Sequence, residues 1–208
     1  MVKDIFDRQI MDNFPEIIKT IDNFFSNKYS SEFEERASKT KIAVVRRKGV
    51  VKAGNSEVYV GSEPVCIKGE QDTIIALPVI FLGEKTGNVI FTHVVLHSLF
   101  DDTLKNKYEQ LNEVLVDYFA DKISKVLENK KINVTLEEFP EYKSKSFYSN
   151  CFDIVENFCK KNKKGLAELL VNGDEGLLEE MEELSLSVEE KINKLLLEDE
   201  KIKKNKRR

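Results

Sequence analysis

His93 and His97 stand four residues apart in the run FTHVVLHSLF and are the only histidines in the chain. On a helix that spacing turns both imidazoles the same way, about one turn apart. A helix can thereby offer two nitrogen ligands to one metal ion. A second helical pattern follows, carrying Asn112, Glu113 and Asp117, with its two carboxylates again four apart. One carboxylate can complete a three-ligand site, and the other can steady a histidine from behind by accepting its remaining N–H. The chemistry on offer is that of a divalent ion with an open position for water.

Positioning those groups takes two helices on a packed scaffold, and the apolar pattern supplies candidates. Ile5, Phe6, Ile10, Phe14, Ile17, Ile18, Ile21, Phe24 and Phe25 recur at three and four, which predicts an amphipathic helix over residues 4–25 that Pro15 kinks or restarts. Ser31 and Glu34 have capping-box spacing for a brief second helix. Residues 41–69 form short β-rich runs separated by Lys48-Gly49, Gly54-Asn55 and Gly61-Ser62. They predict a small, mainly antiparallel sheet in which a parallel pair stays open. Residues 73–82 are the longest candidate strand, apolar enough to be covered on both faces. Residues 83–88 then turn the chain into the first motif helix.

Tyr108, Leu111, Leu115, Phe119, Ile123, Val126 and Leu127 mark the second motif helix over residues 107–127, with Glu113 and Asp117 on its polar flank. Residues 132–139 read as strand or loop. Two further helices follow, around Tyr148, Phe152, Val155 and Phe158 and over residues 165–171, with Asn172-Gly173 as a stop. The acidic stretch 174–190 keeps helical spacing, and Ser187 with Glu190 opens a last helix. The terminal KIKKNKRR reads as a solvated basic tail. The expected class is α+β: N-terminal helices, a small sheet, the motif helices and a helical C-terminal region. One domain spans residues 1–186, with a C-terminal helix and tail at 187–208.

Composition narrows the function. A net charge of −4 argues against a nucleic-acid binder. Cys66, Cys151 and Cys159 are odd in number and form no CxxC pair, so neither a disulfide framework nor a thiolate zinc site is indicated and a reducing, cytoplasmic setting is expected. The first residues, MVKDIFDRQIMDNF, interrupt their apolar positions with charges, unlike a signal peptide. Residues 73–82 are too short to span a bilayer, so no membrane partner is expected. The Lys, Asn, Ile and Phe usage fits an AT-rich bacterial or phage genome. No GxGxxG, P-loop or nucleophile elbow is present.

His93-Val94-Val95-Leu96-His97 followed by Asn112-Glu113-Val114-Leu115-Val116-Asp117 resembles the HExxH and NExxxD pair of the zincin metallopeptidases, in their thermolysin-like gluzincin branch. Residues 147–178 resemble the tail of small bacterial zincin-like proteins. The resemblance implies a zincin-like fold, zinc as cofactor, His93, His97 and Glu113 as ligands, and Asp117 hydrogen-bonded to the first histidine. It also implies that an extended peptide or protein segment binds along a sheet edge. One position departs from the family pattern: the glutamate that serves as general base is Val94 here.

Three readings follow. The first is a zinc-binding zincin homologue, inactive or weak as a peptidase, that binds peptide or protein segments. The second is a metal-free helical interaction or regulatory protein of bacterial or phage origin, using the acidic 174–190 region and the basic tail. The third is an active zinc metallopeptidase carrying a substitution at Val94. For efficient turnover without the glutamate, Tyr118, Tyr142 or Tyr148 would have to act as oxyanion donor, or Asp101 or Asp102 as base.

Overall fold

A computed structural model describes residues 2–45, 49–53, 56–60, 65–69, 71–78, 84–130, 132 and 147–206. The expectations for residues 79–83 and 133–139, and for Tyr142, lie outside them. The chain divides into two compact units, Met1–Phe100 with Phe119–Ser144, and Asp101–Tyr118 with Lys145–Arg208.

In the first unit, helix α1 (Val2–Phe24) runs unbroken across Pro15, so the expected restart does not occur. Helix α2 (Ser30–Ser38) lacks the Ser31–Glu34 capping box. Its N-terminus is held from a distance, by the buried Asp22 carboxylate accepting from the Tyr29 N–H at 3.3 Å and from the Ser30 hydroxyl at 2.5 Å. Ser31 instead donates to its neighbour Glu32.

Strands β1 (Thr40–Val45), β4 (Val65–Lys68) and β5 (Thr73–Pro78) make a three-stranded sheet of order β1-β5-β4, while β2 (Gly49–Ala53) and β3 (Ser56–Val60) pair as a separate antiparallel hairpin. β1 runs parallel to β5, Thr40 opposite Thr73, and β4 runs antiparallel to it, Lys68 opposite Thr73. The three-stranded sheet is therefore mixed, and the antiparallel majority comes from the hairpin. The near-continuous apolar run of β5 has the expected cause: it is the central strand, and Ile74, Ile75, Ala76 and Leu77 are all buried. Helix α3 (Glu84–Leu99) packs on β4 and β5. Phe25 joins α1 to the rest of this core, its ring lying 5.8 Å from Phe100 and 5.4 Å from Phe119.

The second unit is helical: α4 (Thr103–Lys107), the first part of α5 (Glu109–Asn129), α6 (Phe152–Lys161), α7 (Lys163–Asn172) and α8 (Glu180–Lys206). Helix α8 starts at Glu180 and passes through Ser187, whose hydroxyl donates back to the Glu183 carbonyl, so Ser187 opens no new helix. The stop at Asn172-Gly173 is as expected: Gly173 caps α7 with φ +70°. A Cβ there would lie 2.8 Å from Asp101 Oδ1 and 2.9 Å from Thr103 Oγ1. Gly173→Ala is accordingly expected to cost about 2 kcal/mol through left-handed strain and this collision. Urea denaturation against wild type measures it, and an unchanged midpoint would contradict the assignment.

Candidate metal centre

Helix α3 begins at Glu84, inside the stretch read as a turn. From residue 91 to residue 100 every side chain is buried except His93 and His97, which are partly exposed. Over residues 91–100 this helix, seated on the sheet, thus leaves one line of its surface accessible, and both imidazoles stand on that line. Their rings lie 4.6 Å apart at 69°, with the two Nε2 atoms 3.0 Å apart. As a hydrogen bond, this contact has one Nε2–H donating to the other Nε2. As a pair of ligands it is close to the separation of about 3.3 Å that two nitrogens take around a tetrahedral zinc ion.

The end of α3 is fixed by residues that local sequence patterns do not reveal. The Arg36 guanidinium donates to the Leu99 carbonyl, and Lys68 Nζ donates to the Phe100 carbonyl at 2.5 Å. Both cations satisfy terminal carbonyls and oppose the negative end of the helix dipole. They lie 63 and 32 residues away in sequence, so nothing near the histidines announces them.

Glu113 lies on α5, partly exposed among the buried Leu111, Asn112, Val114, Leu115 and Val116. One ligand atom from each of His93, His97 and Glu113 falls within 4.8 Å of the others. The donor set, two imidazoles and a carboxylate in a half-buried setting, fits a borderline divalent ion such as zinc. Asp117 is only 7% exposed, more deeply placed than the polar flank expected for it. Buried carboxylates need partners, which suits a supporting role.

Val94 is 3% exposed, so the position where zincins carry the general base belongs to the apolar side of α3. Two of the groups expected to stand in for the missing glutamate, Asp101 as base and Tyr118 as donor, are engaged elsewhere. Asp101 Oδ1 is taken up by the Thr103 N–H at 2.8 Å and the Thr103 hydroxyl at 2.5 Å. Tyr118 is buried and stacks edge-on against Phe152. Tyr148 is the tyrosine whose surroundings include the candidate carboxylates: burial, then the negative charges of Glu113, Asp117 and Glu109, raise its phenol above the ordinary range. It is thereby kept protonated, as a hydrogen-bond donor must be.

The cysteines take no part. None is in a disulfide, and burial pushes the Cys159 thiol up to about 12, far from a metal-binding thiolate. Among the described residues no helix is long and apolar enough to cross a membrane.

Fold and site together define an α+β chain, mostly helical, with a His/His/Glu group that can hold a metal ion. No protein-family model, curated protein or solved structure matches it.

Proposed function

We propose that this chain is a zincin-like metallopeptidase homologue that holds zinc on His93, His97 and Glu113, supported by Asp117, and that it is a pseudoenzyme or at most a weak peptidase. The zincin-like part is residues 1–186, and residues 187–208, which continue α8 as far as Lys206, are an appended C-terminal segment. The observation that carries the reading is the convergence of three ligand atoms from α3 and α5. Two histidines on one helix face can arise by packing alone, but a carboxylate from another helix meeting them in the motif's order is far less expected by chance.

When bound, the ion supplies a polarising charge and acidifies a water. The chain's own groups do the rest: His93, His97 and Glu113 would hold the ion, and Asp117 would accept a hydrogen bond from His93. The Tyr148 hydroxyl is the group that would donate to a carbonyl oxygen. Val94 neither accepts nor donates a proton, and general acid–base help is worth roughly 10²–10⁴ in rate. The consistent role is to bind an extended peptide or protein segment and leave it intact.

Metal content by plasma mass spectrometry, on protein purified without added metal, tests this. Near-stoichiometric zinc is expected, lost in His93→Ala, and zinc added back to stripped protein raises the melting temperature of wild type and not of the variant. Protein that takes up no zinc even when it is offered would defeat the reading. The competing interaction-protein reading draws support from a separate observation, the exposed leucines of α8.

A further inference from the structure

Helix α8 is 27 residues long, about 40 Å. Met181, Ser185, Val188 and Ile192 make its buried face. The rest of the helix surface carries a feature that packing within the unit does not explain. Among the described residues, every exposed large apolar side chain except Val126 lies on this helix: Leu186 at 57%, Leu196 at 50%, Leu197 at 60% and Ile202 at 52%.

Charge of opposite sign gathers toward the two ends of the same helix. Residues 174–190 contain acids and no Lys or Arg, whereas residues 201–208 contain Lys and Arg and no acids. The helix dipole favours that direction, acidic end first. It does not account for the leucines, nor for the alignment of Leu186 and Leu197 with both charge blocks on one line. Opposite the buried face run Glu179, Glu182, Leu186, Glu190, Asn193, Leu197, Lys201 and Lys204, all exposed, with Glu179 in the turn just before the helix. Their spacing of three and four, the mark of one helical face, is the same read from either end.

We infer that this stripe joins two copies of the chain, paired antiparallel through α8 about a two-fold axis. With Leu186 opposite Leu197 of the second copy, Glu182 falls opposite Lys201 and Glu179 opposite Lys204. The two-fold axis repeats each pair. Parallel pairing would set glutamate against glutamate and lysine against lysine. An anionic surface or nucleic acid would engage the basic end alone, leaving Leu186 bare and the glutamates repelled. A second copy is the occupant that satisfies Leu186, Leu197 and both charge blocks together, independently of any metal at the histidines.

Sedimentation velocity on the full chain, from about 1 to about 100 µM, tests it. A concentration-dependent dimer that weakens as salt is raised is expected. K201E/K204E and E179K/E182K each lose self-association, and an equimolar mixture of the two recovers a dimer, because each variant then presents the charges that the other lacks. All four positions are exposed, and circular dichroism matching wild type separates lost pairing from lost folding. A wild type that stays monomeric throughout, or variants that dimerise like wild type, overturns the proposal. Monomeric protein retained on anionic vesicles also overturns it and assigns the basic end to surfaces.

Discussion

Replacing Val94 with glutamate is expected to cost about 2–4 kcal/mol of stability without producing peptidase turnover. Val94 is 3% exposed on a helix whose neighbouring side chains, Val95 and Leu96, are completely buried. A carboxylate placed there loses its hydration, which raises its pKa in the folded state. The folded chain then binds its proton over a pH range where the unfolded chain does not. The stability deficit therefore grows as pH rises above the unfolded carboxylate value, about 4.3, and shrinks below it. Urea midpoints at acid and neutral pH check this, alongside a broad peptide library for cleavage. A variant as stable as wild type that cleaves peptides would mean that position 94 opens onto the metal and that one lost group separates this chain from an active peptidase.

Phe25→Ala is expected to cost about 3–5 kcal/mol and to weaken the proposed zinc binding along with it. Phe25 is 4% exposed and meets four other rings: Phe24, Phe33, Phe100 and Phe119. Truncation removes the buried ring, leaves a cavity and forfeits the edge-on contacts, each worth about 0.5–1.5 kcal/mol. Phe100 directly follows α3, and Phe119 lies on α5 below Glu113. Both helices that carry the candidate ligands thus lean on one side chain. Denaturation together with zinc titration measures the two effects. A destabilised variant with unaltered zinc affinity would show that ligand placement does not depend on this cluster.

The candidate site was more legible than the scaffold around it. An i, i+4 histidine pair needs only helical geometry to share a face, and the apolar residues around it called for a buried helix. β5 was legible for a similar reason, since a strand apolar at consecutive positions has to be covered on both sides. Gly173 was read correctly because a left-handed helix cap is a local demand on one residue. The failures involve local signals overridden at a distance. Ser31 and Glu34 have capping-box spacing, yet Asp22 holds the start of α2. Ser187 and Glu190 have it too, but the helix had already begun at Glu180 and Ser187 was absorbed by the Glu183 carbonyl.

By itself, then, the sequence determined which residue types are available for metal chemistry, that His93 and His97 point together, and that position 94 holds no proton-transfer group. These follow from side-chain identity and from periods of one element. Tertiary structure alone decided that Glu113 reaches the histidines, that Val94 faces the interior, that β1 and β5 run parallel, and that Arg36 and Lys68 close the end of α3. Each of these joins segments far apart in the chain, and such contacts depend on how whole elements pack, which no local spacing encodes.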